Sequence, residues 1–89
     1  MVTHHIIVTG RVQGVFFRAT AKKTAITLGL AGWVRNTENG DVELLVSGKE
    51  EKLEEFEQWC KVGPPQAVVK DVIISIEKVR HYDDFKILK

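Results

Sequence analysis

Apolar and polar residues alternate along five stretches of this sequence, and a two-residue period of this kind predicts β-strands. The predicted strands are His4–Arg11, Ala31–Glu38, Asp41–Ser47, Val68–Val79 and the short Asp84–Leu88. The first strand has apolar residues on both faces, with Ile6 and Val8 on one and Ile7 on the other. Such a strand is typical of the inside of a sheet, so we expect it to be central.

Two other stretches have the spacing of an α-helix. From Phe17 onward, apolar residues recur at positions 17, 21, 25 and 28, and Gly29 is a plausible end of this helix. Ser47-Gly-Lys-Glu50 has the spacing of a capping box, which predicts the start of a second helix. An apolar stripe at positions 53, 56 and 60 follows, and Gly63-Pro64-Pro65 ends the helix.

The predicted elements have the order β-α-β-β-α-β, followed by one short strand. Asn39-Gly40 lies between the second and third strands and is a strong signal for a β-hairpin. Strand-helix-strand units require right-handed crossovers, and a hairpin between two such units splits them. We therefore expect a ferredoxin-like α+β sandwich, with an antiparallel sheet and both helices on one face. With 89 residues, the chain has room for a single domain, over residues 1–89.

Composition narrows the range of partners. Thirteen Lys and Arg against twelve Asp and Glu give a formal net charge of +1, so no bulk field attracts nucleic acid or an anionic membrane. Cys60 is the only cysteine, which excludes an intrachain disulfide and a multi-cysteine metal site. No apolar run approaches the length of a membrane span, and no signal-peptide pattern is present. We expect a cytoplasmic protein.

The segment between the first strand and the first helix is the best candidate for chemistry. A loop that leads from a strand into a helix gathers backbone N–H groups at the positive end of the helix, where they can hold an anion. Within Val12–Arg18, Gly14 permits a tight curl, and the planar guanidinium of Arg18 can bind two phosphate oxygens. The Walker A and dinucleotide-binding patterns are absent. Spacing alone leaves two interpretations open: an anion-binding loop, or a structural turn with a surface arginine.

Two longer motifs make the interpretation of this loop more specific. The run Gly10-Arg-Val-Gln-Gly-Val-Phe-Phe-Arg18 resembles the signature of the acylphosphatase family, Gly-x-Val-Gln-Gly-Val-x-Phe-Arg. A second block of that family, Gly-Trp-Val-x-Asn before a glycine-containing hairpin, is similar to Gly32-Trp-Val-Arg-Asn36 and the turn at Gly40. Gly63-Pro64 with Ala67, and Phe85-Lys-Ile87, match as well. The resemblance spans nearly the whole chain, in order.

The resemblance implies a hydrolase without metal or cofactor that splits acyl phosphates into a carboxylate and inorganic phosphate. Arg18 would bind the phosphoryl group, and Asn36 would hold the attacking water. The backbone amides that form the phosphate cradle would be those of Gln13, Gly14, Val15, Phe16, Phe17 and Arg18. The expected partners are a small-molecule acyl phosphate and inorganic phosphate, the product and competitive inhibitor. No nucleic acid or membrane partner is expected, and we expect a monomer.

This chemistry suits a site that has no general acid. The leaving carboxylate is stable, since its conjugate acid has a pKa of about 4–5, like that of free glutamic acid. Phosphoryl transfer through a loose transition state asks the protein mainly for positioning and charge stabilisation. An arginine, a ring of amides and one amide side chain that holds water are then sufficient.

Three other functions fit this sequence less well. RNA-recognition domains share the topology but carry aromatic residues on the two central strands, whereas the corresponding strands here carry aliphatic ones. A phosphate sensor without turnover would need no water-holding residue, so Asn36 argues against it. A domain inside a larger maturation enzyme is disfavoured, because the chain starts at Met1 and ends just after its last predicted strand.

Three remaining features are assigned structural roles. His4 and His5 are adjacent on a strand, so they face opposite ways and are predicted to be surface residues rather than a metal-binding pair. Cys60 belongs to the apolar stripe of the second helix and is predicted to be buried and inert. The acidic run Glu50–Glu57 is predicted to be a solvated helix face.

Overall fold

The structure is a computed structural model that describes all residues from 1 to 89. The strands and helices follow the predicted order. The strands are β1 (Val2–Arg11), β2 (Ala31–Asn36), β3 (Val42–Gly48), β4 (Val68–Glu77) and β5 (Phe85–Ile87), and the helices are α1 (Phe17–Thr27) and α2 (Glu50–Val62). Neither helix has the length and apolar composition needed to cross a bilayer.

All strands join one sheet in the order β4-β1-β3-β2-β5. β1 pairs antiparallel with both β4 and β3, which confirms its predicted central position. β2 and β3 form the predicted antiparallel hairpin. β5 pairs with β2 in parallel, however, so the expected fully antiparallel sheet is a mixed one. The reason is that the chain leaves β4 at one edge, crosses the sheet and enters β5 at the other edge in the direction of β2.

A single apolar core lies between the sheet and the helices. Its 16 buried residues come from β1, β2, β3 and β5, from both helices and from the connecting loops. Because the helices share one core on one side of the sheet, the prediction that both pack on the same face is confirmed. Phe17 at the start of α1 packs on Trp59 of α2, with 5.1 Å between ring centroids. This contact anchors the residue that precedes Arg18.

The predicted capping box does not form. β3 continues to Gly48, and the Ser47 hydroxyl bonds with the Thr3 hydroxyl across the sheet at 2.7 Å. Helix α2 instead begins after Lys49, whose side chain makes no capping hydrogen bond. A local capping pattern is therefore overridden by a buried partner on β1, which gives the Ser47 hydroxyl a hydrogen bond inside the sheet.

The hairpin between β2 and β3 is longer than predicted, because β2 ends at Asn36 rather than Glu38. Thr37 accepts a hydrogen bond from the Asp41 N–H at its Oγ1 (3.0 Å) and donates its own N–H to the Asp41 carbonyl (2.9 Å). These bonds close the loop before Asn39 and Gly40 are reached. Of those two residues only Gly40 has a positive φ, so the turn does not use both left-handed positions.

His4 and His5 face opposite sides of β1 as predicted, but each is paired rather than free at the surface. His4 Nδ1 lies 2.6 Å from Glu57 Oε2 of α2, and His5 Nε2 lies 2.6 Å from Glu43 Oε2 of β3. Glu57 is buried, so the predicted solvated face of α2 does not include it. Cys60 is buried as predicted, and burial together with the Glu57 carboxylate raises the pKa of its thiol.

Candidate active site

The loop between β1 and α1 contains two residues in the left-handed conformation. Gly14 has φ 72°, and Phe16 has φ 66° and is the only non-glycine residue with a positive φ. For a residue with a Cβ atom this conformation costs roughly 1–2 kcal/mol. The two residues curl the backbone between the end of β1 and Phe17, where α1 begins.

The loop presents backbone N–H groups that have no backbone acceptor. Eleven backbone hydrogen bonds lie outside the helices and strands, and none has its donor within Val12–Phe16. The first amides of α1 also lack intrahelical partners, and Phe16 at the N-cap offers them no side-chain acceptor. The first turn of α1 contains no acidic residue, whereas that of α2 contains Glu50 and Glu51. Unpaired donors thus meet the positive end of a helix dipole that no carboxylate offsets.

Arg18 lies in the first turn of α1 and borders a pocket of about 350 Å³. The lining residues are Val12, Gly14, Phe16, Phe17, Arg18, Ala19, Asn36 and Ile87. Arg18 is half buried, and all four salt bridges of the structure involve other residues. It is the only charged residue of the lining, so its guanidinium gives the pocket a positive charge without a carboxylate to neutralise it.

Asn36 reaches the same pocket from the sheet. It is the last residue of β2, and it lies where the strand gives way to the Thr37 turn. Its Oδ1 is one of two buried side-chain polar atoms that have no hydrogen-bond partner in the protein. An unpaired buried acceptor costs about 1–3 kcal/mol, so this carbonyl oxygen is a strong acceptor for a donor from outside the chain. The amide is also able to donate through Nδ2.

Gln13 connects the two halves of the pocket. Its Nε2 donates to the Thr37 carbonyl and to the Asp41 carbonyl, both at 2.8 Å. These bonds tie the loop that follows β1 to the hairpin that follows Asn36. The sequence motif predicts a role only for the backbone amide of Gln13. Its side-chain role has no local signal, because its partners lie 24 and 28 positions away.

The structure brings the predicted Arg18 and Asn36 to one pocket, together with the glycine and both phenylalanines of the predicted cradle. The side chains of Gln13 and Val15 do not line it, since that of Gln13 is bonded to the hairpin and that of Val15 is part of the core. Ile87 of β5 borders the pocket and was not predicted to do so. No group of three or more His, Cys, Asp or Glu residues is arranged to hold a metal ion.

Comparisons of sequence and of structure with known proteins point to the same family. A family model described as Acylphosphatase matches residues 4–87. An acylphosphatase of Trichormus variabilis is 47% identical over 83 residues, which cover 93% of this chain and 82% of the relative. The crystal structure of acylphosphatase from Bacillus subtilis superposes with a TM-score of 0.97 at 38% identity and covers all of both chains. An acylphosphatase structure from Coxiella burnetii gives a TM-score of 0.95 at 41% identity, covering 98% of this chain and 92% of that one.

Proposed function

The chain belongs to the acylphosphatase family, and we propose that its reaction takes place in the pocket that Arg18 and Asn36 share. It is an enzyme that acts on a small-molecule acyl phosphate and hydrolyses its carboxyl-phosphate bond. Three kinds of group without a protein partner meet at this pocket: the Arg18 guanidinium, the loop amides and the Asn36 side-chain carbonyl. This observation supports the proposed location. Each of these groups lacks a partner that a phosphoryl group or a water would supply.

In this proposal the phosphoryl group is held by charge and by backbone donors. The loop amides from Gln13 to Arg18 donate to the phosphoryl oxygens, and the Arg18 guanidinium offers two further parallel donors. The donors are fixed by the curl at Gly14 and Phe16, so little reorganisation is needed as charge develops in the transition state. Positive charge from the chain thus takes the part that a metal ion plays in many other phosphoryl-transfer enzymes.

Asn36 would position the attacking water. A water molecule can donate to Oδ1 and accept from Nδ2, and the terminal torsion of an asparagine side chain is soft enough to let the amide turn toward it. The tie from Gln13 holds the start of the hairpin beside the loop, which keeps Asn36 at a constant distance from the bound phosphorus. Because the water is already positioned, less entropy is lost when it reacts with the bound phosphoryl group than in a bimolecular reaction in solution.

The chemical step then needs no side-chain acid. The water oxygen forms a bond to phosphorus, the bond from phosphorus to the carboxyl oxygen breaks, and the electron pair leaves on the carboxylate. The water proton passes to a phosphoryl oxygen or to solvent. A phosphate monoester has a far poorer leaving group, so comparable turnover of benzoyl phosphate and an alkyl phosphate would contradict this mechanism.

Inorganic phosphate carries the same oxygens as the transferred group, and we propose that it is both product and competitive inhibitor. We also propose that residues 1–89 act as one monomeric domain in the cytoplasm. One continuous core of 16 residues supports a single domain, and the free Cys60 suits a reducing compartment. A dimer mass in light scattering would contradict the monomer.

Substitution of the two pocket residues separates their roles. Arg18→Ala should lower kcat/KM for benzoyl phosphate by roughly 100-fold or more and weaken phosphate inhibition, because it removes a charged donor. Asn36→Ala should lower kcat by a similar factor while the inhibition constant of phosphate changes little, because it removes only the water holder. Steady-state assays with EDTA present measure both constants.

The chain provides matched controls. Arg11 is an exposed arginine at the end of β1, and Asn39 is an exposed asparagine in the same hairpin as Asn36; neither lines the pocket. Arg11→Ala should keep parental kinetics. Asn39→Ala removes the acceptor of the Thr37 hydroxyl in the hairpin but no group of the pocket, so it should keep kcat near the parental value. Full activity of Asn36→Ala, or equal losses in Arg18→Ala and Arg11→Ala, would show that the reaction is not organised as proposed.

A further inference from the structure

Phe16 combines two unfavourable features at the mouth of the pocket. Its side chain is 72% exposed, although a phenylalanine gains most when it is buried. Its backbone is in the left-handed conformation, which glycine would adopt at almost no cost. The ring contributes nothing to the core, and it makes none of the aromatic contacts that Phe17, Phe56, Trp59 and Phe85 share. A role in folding therefore does not explain this residue.

The position of the ring offers a different explanation. Phe16 lines the pocket together with Ile87 of β5, which is also exposed, at 40%. Five of the eight lining residues are apolar, and Arg18 is the only charged one. The pocket therefore has a polar part, formed by the loop amides, Arg18 and Asn36, and an apolar part, to which the exposed side chains of Phe16 and Ile87 belong.

We propose that Phe16 and Ile87 form an acyl subsite, and that this enzyme prefers acyl phosphates with an apolar, flat acyl group such as an aromatic ring. The inference rests on the proposed site, because a phosphoryl group bound at Arg18 requires its acyl group to leave the cradle along a wall of the same pocket. An aromatic acyl group covers the exposed Phe16 ring and gains both apolar burial and ring-ring contact.

Charge supports the same preference. An acyl group that carries a second anion would find no cation in the lining other than Arg18, which is already bound to the transferred phosphoryl group. Its charge would lose water against the hydrocarbon of Phe16 and Ile87 with no compensating partner. The subsite therefore selects for apolar acyl groups and against acidic ones.

The test compares benzoyl phosphate with acetyl phosphate in the same enzyme, with the ratio of their kcat/KM values as the readout. Phe16→Gly and Phe16→Ala should each lower the benzoyl-to-acetyl ratio by about five- to tenfold, the range expected from lost aromatic contact and apolar burial. Ile87→Ala should lower it less, and Phe16→Leu should restore part of it. Ile26→Ala, which removes an exposed apolar side chain from the far end of α1, is the control and should leave the ratio at the parental value.

The paired Phe16 variants separate the ring from the backbone. Glycine removes the ring and relieves the left-handed strain, whereas alanine removes the ring and keeps the strain. An equal fall of the ratio in both identifies the ring as the cause. A fall in Phe16→Gly alone would assign the effect to the loop conformation and overturn the subsite.

Binding without turnover provides a second readout. Benzylphosphonate should inhibit the parent more strongly than methylphosphonate, and this difference should disappear in Phe16→Gly. If Arg18→Ala retains turnover of both substrates, the proposed site itself is wrong. If Arg18→Ala loses turnover but the Phe16 and Ile87 variants keep the parental substrate ratio and phosphonate difference, only the acyl subsite is refuted.

Discussion

Gln13→Ala removes the side-chain link between the Val12–Phe16 loop and the β2–β3 hairpin, which carries Asn36. Two hydrogen bonds of 2.8 Å are lost, and each contributes about 0.5–1.5 kcal/mol to stability. The carbonyls of Thr37 and Asp41 are not left without partners, since they still accept from the Gly40 and Thr37 amides at 3.3 and 2.9 Å. We therefore expect a loss of about 1–2 kcal/mol in the free energy of unfolding, measured by urea denaturation.

The catalytic effect of this change should exceed its effect on phosphate binding. Without the tie, Asn36 and the loop can move relative to each other, and a misplacement of about 1 Å can lower a rate by roughly 100-fold. We expect kcat for benzoyl phosphate to fall at least tenfold, whereas the inhibition constant of phosphate changes by less than about threefold. Kinetics at temperatures well below the unfolding midpoint keep the two effects apart.

Two further variants test whether the two Gln13 hydrogen bonds are the cause of these effects. Gln13→Glu keeps the shape but replaces the donor group by a carboxylate that repels both carbonyls, so it should lose more stability than Gln13→Ala. Gln58→Ala changes an exposed glutamine on α2 and should leave stability and kinetics within error of the parent. Parental kcat in Gln13→Ala would show that the tie does not position Asn36. Equal stability of the Ala and Glu variants would show that the two bonds are not what holds the hairpin.

Two further predictions concern stability, and urea denaturation tests both. Burial raises the pKa of Glu43, but the hydrogen bonds from His5 and Arg35 outweigh it and hold the pKa below its ordinary value. The ionised Glu43 therefore stabilises the fold above about pH 4–5, and this contribution is lost as the pH falls through the lowered pKa. Glu43→Gln should cost about 1 kcal/mol at pH 7, and a constant difference down to pH 3 would contradict the assignment. The second prediction compares two glycines. A Cβ atom added to Gly32 would lie 1.9 Å from the Leu45 carbonyl oxygen, whereas one added to Gly29 would meet nothing within 4 Å. Both glycines have positive φ, so Gly32→Ala should cost at least about 2 kcal/mol more than Gly29→Ala, and equal losses would show that β2 and β3 separate freely.

The sequence was sufficient for the features that depend on local pattern. Two-residue and helical periods located every strand and helix, and both ends of the loop motif could be assigned to a strand and a helix. The errors occur where a distant residue competes with a local signal. Ser47 has the right neighbours for a helix cap, but Thr3, which is 44 positions away, takes its hydroxyl into the sheet. The parallel pairing of β5 is another case, because a strand of three residues contains no pattern that specifies its partner.

In the candidate site, too, local motifs could be predicted and contacts between distant residues could not. Arg18 and Asn36 could be predicted from two motifs, and the structure brings both to one pocket. The hydrogen bonds of Gln13 to the hairpin and the position of Ile87 at the pocket could not be predicted. Each depends on contacts across the fold rather than on neighbouring residues in the sequence. The left-handed backbone of Phe16 also has no signal in the sequence, because a phenylalanine seldom adopts it.

The central place of β1 has a consequence for the newly made chain. β1 leads directly into the Val12–Phe16 loop, yet both strands that flank β1 come later in the chain, and Thr3 pairs with Glu77 at the far end of β4. Synthesis proceeds from the N-terminus at about 5–20 residues per second, so the loop exists for seconds before the strands that hold it. Contacts of such sequence separation also make folding slow relative to a helical bundle of the same size. The Val12–Phe16 loop is thus made early in synthesis, whereas the strands that hold β1 in the sheet are made seconds later.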